Sequence, residues 1–447
     1  MKKFFESLAN VWKIEELKNR ILITLGLLVV YRFGAQVTLP GIDATQLSDL
    51  AGQTKNGIGS ILDMFTGGAF SKASVFALGI MPYISASIVV QLMGIAIPYL
   101  QKLQKDGESG RKKLNQITRW LTILITLVQG PGYIYNLYRT LPNSAFMLGF
   151  DSFSFLFSSV LILTTGTIFA MWLGEKITDK GIGNGISLLI MVGILARFPQ
   201  AFIQEFTSTI TNNNGGPMLL VIEIIVWLLV IVACVLLVMA VRKIPVQYAR
   251  RTTTGDFEQD MMGGNRQWIP LKLNASGVMP IIFAQAIMFI PAALAGLSQS
   301  ETSQSIAGAF SNMFGFWYNF VFATLIIVFT FFYTAITVPT NKMADDLKRS
   351  GGFIPGVKPG METSDFLDRI MSLITFPGSL FLALIAVFPA IVVSFGVQQS
   401  WAMFFGGTSL IIMVGVAIDT IQQINSYLLN KHYDGLMKSG KNRKAVA

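Results

Sequence analysis

The sequence predicts an all-α polytopic membrane protein, and three observations lead to that prediction. The chain of 447 residues is 52% hydrophobic and only 13% charged, whereas about a quarter of the residues in soluble domains are charged. Its mean hydropathy is +0.58. Apolar stretches long enough to cross a bilayer recur along the chain, and the loops between them alternate between basic and nearly uncharged. We therefore expect ten transmembrane helices.

The ten spans are placed by the requirement for about 20 mostly apolar residues in each. The three weakest contain Arg32, the break at 129–131, and Arg197 with Pro199. Proline and glycine are tolerated in a span when neighbouring helices cover the freed backbone groups, so all three are retained. The predicted spans are 20–38, 73–97, 119–138, 153–173, 184–203, 218–241, 276–297, 317–339, 372–395 and 403–424.

The distribution of lysine and arginine tests this placement, because cytoplasmic loops carry an excess of basic residues. Nearly all of the 34 basic residues fall at the two termini or in alternate loops. The exceptions are Lys55, Lys72, Arg139 and Arg197 on the opposite side, and Arg32 within a span. A missed span would scramble this division. We therefore expect both termini in the cytoplasm, with cytoplasmic loops at 98–119, 174–185, 242–275 and 340–371.

Several functional classes are excluded by the residues that the sequence lacks. Cys234 is the single cysteine and His432 the single histidine, which excludes an internal disulfide, a cysteine-type zinc site and Ser-His-Asp hydrolysis. No GxxxxGK[ST] phosphate loop is present, so an internal ATPase is not expected. No catalytic pair is visible within the spans either. We expect a protein that is not an enzyme and that needs no metal or cofactor.

Three further features concern the membrane surface and the charges within the spans. Residues 2–20 are too charged for a signal peptide, and Phe4, Phe5, Leu8 and Trp12 predict an interfacial amphipathic helix. The two longest cytoplasmic loops, 242–275 and 340–371, run to about 30 residues each and are expected to form a docking surface. Ionisable groups in or beside the spans are expected to be structurally paired or close to the interface; these are Arg32, Glu223 and Asp419.

Five motifs, in this order along the chain, closely resemble the SecY family of protein-translocation channels. They are FALGIMPYISAS (76–87), GEKITDKGIGNGIS (174–187), KLNASGVMPIIFA (272–284), SGGFIPGVKPG (350–360) and FGGTSLIIMV (405–414). The resemblance covers nearly the whole chain. It implies two inverted five-helix halves, 1–205 and 206–447, around a central hourglass pore that also opens sideways into lipid.

The function implied by this resemblance is a protein-conducting channel of the bacterial cytoplasmic membrane. Such a channel passes unfolded secretory polypeptides and releases transmembrane segments sideways into lipid. The alternative is a secondary transporter of a small solute, which also uses broken helices but places polar or ionisable ligands at the bilayer midplane. This chain places isoleucines at the corresponding positions.

The resemblance assigns a ring of isoleucines to the pore constriction. Branched apolar side chains fit closely around a passing chain, bind none strongly and exclude water when the pore is empty. Residues four apart share one helix face, and this spacing separates Ile80 from Ile84 and Ile186 from Ile190. The alternative is that these isoleucines face lipid or pack in the core. The proposed ring comprises Ile80, Ile84, Ile186, Ile190, Ile282 and Ile412.

The stretch 57–70 aligns with the plug that caps the pore of the family from outside. It is too short to span. We expect an apolar helical turn formed by Ile61, Leu62 and Phe65, which ends at Gly67 and Gly68. The alternative is an ordinary outer loop.

Polar residues complete the set that the resemblance implies. Gln91 and Asn274 are expected to face each other across the lateral gate, or else to make local contacts near the cytoplasmic face. Arg250, Arg251 and Lys358 are expected to dock partners, and relatives carry arginine where this chain has Lys358, so fork-like bidentate pairing is lost there. The implied partners are small single-span and two-span Sec subunits (SecE-like and SecG-like), a SecA-like motor ATPase, the ribosome, signal sequences, nascent polypeptides and anionic lipids.

Overall fold

A computed structural model gives the structure of the chain and describes residues 12, 14–47, 63–146, 152–211, 216–248, 266–295 and 312–443. Helices dominate this part of the chain. They are α1 (Glu15–Gly34), α2 (Met81–Ala96), α3 (Pro98–Lys105), α4 (Gly107–Thr140), α5 (Ser152–Lys180), α6 (Gly185–Thr211), α7 (Gly216–Met239), α8 (Met279–Ala295), α9 (Phe316–Thr337), α10 (Thr340–Arg349), α11 (Met361–Ser394), α12 (Gln399–Ala402) and α13 (Gly407–Arg443). The strands are β1 (Val241–Tyr248), β2 (Arg266–Lys272) and β3 (Gly352–Phe353).

A helix lies on each of the ten predicted spans, but several boundaries differ from the prediction. Residues 73–80 form turns, so α2 begins only at Met81, with Pro82 in its first turn where the missing N–H costs nothing. Conversely, α4, α11 and α13 continue well beyond the apolar segments into sequence that was predicted to be loop or tail. Among the described residues, six helices are long and apolar enough by themselves to cross a membrane, or seven if α2 and α3 count as one bent span.

The bend between α2 and α3 has a local cause. Ile97 has φ −102° and ψ 114°, an extended conformation that a following proline favours. Pro98 then starts α3, and the two helices meet at 104°. The predicted loop 98–119 is therefore largely helical.

The chain divides into two compact units. The first comprises Met1–Gln204 and Val416–Ala447, and the second comprises Glu205–Gly415. In the first unit, α4 packs against α2, α3 and α5, and in the second α9 packs against α8 and α11. An apolar cluster in the first unit is built around Phe70, Tyr133, Ile134 and Leu163.

Much of the surface of the helices is apolar, which suits lipid. On α7, the exposed side chains include Leu228, Leu229, Val232 and Leu236. The predicted interfacial helix lies outside the described residues except for Trp12, whose side chain is 51% exposed. In the loop after α1, Asp43 accepts hydrogen bonds from the backbone N–H and the hydroxyl of Thr45, which hold the pKa of the Asp43 carboxyl below its usual range.

A three-stranded antiparallel sheet, which was not predicted, lies almost entirely within the two long predicted loops. The strand order is β2-β1-β3. Val241 pairs with Lys272 at one end of β1, and Tyr248 pairs with Gly352 at the other. The sheet covers a cluster of buried side chains from both loops and from α11: Ile244, Val246, Leu271, Leu347, Ile354, Leu367 and Met371.

Candidate functional site

The turn between α5 and α6 fixes the orientation of α6, and the glycines in this turn make its tight course possible. Gly185 approaches the carbonyl oxygen of Gly174 so closely that a Cβ atom there would overlap it. Gly183 has φ +83°, and its N–H donates to Gln423 Oε1 at 2.9 Å. The N–H of Ile182 donates to Thr24 Oγ1 at 3.0 Å. This fixed reversal sets the rotation of α6 about its axis.

The face of α6 that follows this turn carries two of the predicted ring residues. Ile186 and Ile190 lie four apart, and Gly193 and Arg197 continue the same stripe at helical spacing. Ile190 is buried and Ile186 half-buried. One helix face therefore carries the two isoleucines first, then a glycine, then a cation.

Ile80 and Ile84 lie at the start of α2 in the same unit. Ile80 is the N-cap residue, and its carbonyl oxygen accepts the N–H of Ile84 at 3.0 Å. Their side chains are only 4% and 8% exposed. The preceding Gly79 has φ +53°, which turns the chain into the helix.

The second unit contributes the other two isoleucines. Ile282 is half-buried in the first turn of α8, and its N–H donates to the carbonyl of Val278 at 3.4 Å. Ile412 is 3% exposed in the early turns of α13. A Cβ on Gly415 would lie 3.5 Å from Val278 Cγ2, so the start of α13 packs close to the start of α8. None of the six ring residues brings a polar side-chain group.

The predicted plug stretch is described from Asp63 onward, so Ile61 and Leu62 lie outside the described residues. Residues 63–65 form a helical turn, and Phe65 is 7% exposed. Gly67 and Gly68 follow with φ of +65° and +91°, values that favour glycine. Asp63 Oδ1 accepts the N–H of Ser71 at 2.8 Å, and the hydroxyl of Ser71 donates to the carbonyl of Gly68 at 3.3 Å. Residues 63–71 are thus a compact folded segment.

The two predicted gate residues each make a local contact. Gln91 Nε2 donates to Ser87 Oγ on its own helix at 3.5 Å. Asn274 is 8% exposed, and its Oδ1 accepts the hydroxyl of Ser276 at 3.2 Å. Their role across the gate stays a prediction.

The predicted docking residues differ in how far the structure describes them. Arg250 and Arg251 lie outside the described residues. Lys358 sits on an exposed turn directly after β3, between glycines with φ of +85° and +113°. Its Nζ lies 3.5 Å from Glu362 Oε1, and its backbone carbonyl accepts the hydroxyl of Thr363 at 2.8 Å. The turn is therefore ordered while the ammonium group remains accessible.

The three ionisable groups in or beside the spans differ in their surroundings. Arg32 Nη1 donates to the carbonyl of Gly67 at 2.8 Å, so it has the structural role that was expected. Asp419 is exposed. The side chain of Glu223 is 5% exposed, and among the described residues neither of its carboxylate oxygens has a hydrogen-bond partner, so its expected closeness to the membrane interface stays a prediction. The described residues also contain no cluster of three or more His, Cys, Asp or Glu side chains suited to a metal ion.

Comparison with known proteins assigns this architecture to a family. The SecY family model matches residues 74–421. The protein translocase subunit SecY of Aquifex aeolicus is 38% identical over 435 residues, which cover 97% of this chain and 99% of that protein. Its homologue in Haemophilus influenzae is 40% identical over 428 residues, which cover 95% and 94%.

Solved structures share the fold. One was reported to show that the plug domain of the SecY protein stabilises the closed state of the translocation channel and maintains a membrane seal; it matches with a TM-score of 0.60 at 19% identity and covers 92% of both chains. Another is Sec61 in a canine ribosome-channel complex, with a TM-score of 0.54 at 17% identity and the same coverage. The predicted polytopic helical fold is confirmed, and the chain belongs to the SecY family.

Proposed function

We propose that this chain is the pore-forming subunit of a protein-conducting channel, and that it carries out no chemistry. The observation that carries the proposal is the match to protein translocase subunits over nearly the full length of both chains. Secretory polypeptides pass through the channel unfolded, and transmembrane segments leave it sideways into lipid. The energy comes from translation, from a partner ATPase or from the membrane potential.

The six isoleucines line the constriction in this proposal. The support is chemical: two of them lie on one face of α6, two lie at the start of α2, and none offers a hydrogen bond to a passing chain. A polypeptide of any sequence then meets the same apolar surface, while an empty ring of this kind excludes water and ions. A small-solute transporter needs polar ligands at such a place, and no comparison favours that alternative.

The segment 63–71 belongs to the plug in this proposal. Its compact fold, with two glycines at positive φ, supports a preformed cap rather than an open loop. Gln91 and Asn274 are assigned to the lateral gate, where they compete with an arriving signal sequence. The two halves of the channel are 1–205 and 206–447.

The partners are small single-span and two-span subunits, a motor ATPase and the ribosome. The support is the likeness to a channel solved in a ribosome complex and the family's description as a translocase subunit. The basic loops suit rRNA phosphates, acidic protein surfaces and anionic lipids. With its basic loops inside, the chain lies in a bacterial cytoplasmic membrane with both termini in the cytoplasm.

Reconstitution tests this function. The chain, purified with its small partner subunits and placed in liposomes with a SecA-type motor and ATP, is expected to render a secretory precursor resistant to external protease. A matched sample without ATP should leave the precursor digestible. Saturable uptake of a small solute, together with no protected precursor, would contradict the proposal.

Lys358→Glu is expected to reduce motor-driven precursor protection by about tenfold, because it reverses an exposed charge on an ordered turn. The resting ion conductance should stay at the wild-type value, since Lys358 is not one of the proposed pore or plug residues. Lys348→Glu provides a control with the same charge change on α10, where the residue is also exposed. Equal losses in both variants would mean that overall charge, not this turn, matters.

A further inference from the structure

Charged groups fasten residues 63–71 to α6, which carries two of the proposed pore residues, and to α1. Asp63 Oδ2 forms an ion pair with the guanidinium of Arg197 on α6. Arg197 Nη2 also donates to Ser71 Oγ at 2.8 Å. The Asp63 and Arg197 side chains are only 12% and 26% exposed, so solvent screens this pair less than a surface pair.

A second cation holds the middle of the same segment. Arg32, from α1, donates through Nη1 to the carbonyl of Gly67 at 2.8 Å. A Cβ atom on Gly68 would lie 3.1 Å from Arg197 Nε, so the backbone at 67–68 passes directly over both guanidinium groups. The two guanidinium groups lie against neighbouring residues of the segment, and like charges placed this way repel each other. Asp63 is the carboxylate that offsets this repulsion, and its Oδ1 also fixes the fold of the segment through the N–H of Ser71.

The segment also touches the backbone immediately beside the proposed pore isoleucines. A Cβ on Gly193 would lie 2.6 Å from the carbonyl oxygen of Phe65, and Gly193 is three residues from Ile190 on the same face of α6. A Cβ on Gly79 would lie 2.9 Å from Thr66 Cγ2, and Gly79 directly precedes Ile80. Residues 63–71 therefore bridge the two helices that carry four of the six ring residues.

We propose that Asp63, Arg197 and Arg32 are positioning residues that clamp the 63–71 segment over the isoleucines and thereby set how tightly the resting channel excludes ions. The clamp rests on the proposed channel function, and it adds a polar layer to the apolar seal. The Asp63–Arg197 ion pair is one part of the clamp, and a single charge change removes it without altering the isoleucines. Opening the channel requires this pair to separate.

Ion conductance of the reconstituted complex in planar bilayers tests the clamp. Asp63→Asn keeps the side-chain shape and an acceptor for Ser71 but removes the ion pair. Both Asp63→Asn and Arg197→Gln are expected to raise the resting conductance by about tenfold, the ratio that follows from losing one charged hydrogen bond. The charge-swapped double variant, Asp63→Arg with Arg197→Asp, restores the opposite charges but not the two contacts with Ser71, so its conductance should fall below that of either single variant without reaching the wild-type value.

The matched control breaks a different ion pair in the same unit. Arg119 Nε donates to Glu175 Oε1 at 3.1 Å, and Arg119 Nη2 donates to Glu175 Oε2 at 2.5 Å. Both residues are far from 63–71 in the sequence. Glu175→Gln should leave the conductance unchanged. If Arg197→Gln is not recovered as folded protein, Arg197→Lys replaces it; it keeps the charge, loses the fork, and should give an intermediate conductance.

Two results would overturn the clamp. One is wild-type conductance in Asp63→Asn and in the Arg197 variant, measured on preparations that still protect a precursor. The other is a raised conductance that the charge swap does not lower. Precursor protection by the wild-type complex is measured in parallel, so its failure counts against the channel function, whereas the conductance comparison bears on the clamp alone.

Discussion

Ile84→Asn is expected to raise the resting ion conductance of the reconstituted channel by about tenfold or more. Ile84 is 8% exposed at the start of α2, and asparagine there replaces a branched apolar group with an amide that holds water. A ring that excludes ions by dewetting loses that property once one member is hydrated. Ile282→Asn should have the same effect from the second unit. Single-channel and mean currents in planar bilayers measure both.

Two controls separate the seal from a general effect of substitution. Ile84→Val keeps an apolar branched side chain and should preserve the seal. Leu124→Asn introduces the same amide on an exposed face of α4, where the side chain is 59% exposed, and should not raise conductance. Unchanged currents in both Ile84→Asn and Ile282→Asn would contradict the assignment of these isoleucines to the pore ring.

Gly185→Ala is expected to prevent recovery of the folded chain, at a cost of about 3 kcal/mol or more in stability. The added Cβ would overlap the carbonyl oxygen of Gly174 and lie 2.7 Å from Ile177 Cβ. Both atoms belong to the helix α5, so no flexible side chain can move aside. The yield of monodisperse protein in detergent and its thermal unfolding midpoint measure the effect.

Gly26→Ala is the matched control for this prediction. Gly26 lies in α1 with no atom within 4 Å of an added Cβ. Alanine in a helix is favoured over glycine by about 1 kcal/mol, so this variant should be at least as stable as wild type. A Gly185→Ala chain as stable as the control would mean that α5 and α6 separate easily at this turn.

Hydropathy and charge placed the helices because the bilayer imposes length and polarity on each span. The ends of the helices were predicted less accurately. Residues 73–80 read as part of a span because they are apolar, yet Gly79 at positive φ and the bridge from Thr38 to Ser74 give them a turned, non-helical course. Apolar composition alone cannot distinguish a buried turn from a helix end.

The sheet was missed for a specific reason. Its strands contain Pro245 and Pro270, and proline within a run argues against a strand because it cannot donate to the ladder. In the structure Lys243 pairs with Pro270, and Pro245 pairs with Trp268. A long stretch of sequence separates β1 from β2, so no short turn motif between them indicated a hairpin.

The contacts of the clamp could be foreseen only in part. Asp63 and Arg197 lie on segments far apart in sequence, and only the packing of the 63–71 segment against Gly193 brings them together. The sequence did carry a partial signal, because an arginine within a span needs a partner. It did not say which partner.

The antiparallel sheet described above has a mechanical consequence. β1 continues directly from α7, β2 leads into α8, and β3 precedes the exposed turn and α11, while hydrogen bonds join all three strands. A force on the Lys358 turn is therefore transmitted through the hydrogen-bonded strands to all three helices. We expect a push on this turn to displace α7, α8 and α11 together instead of bending one of them.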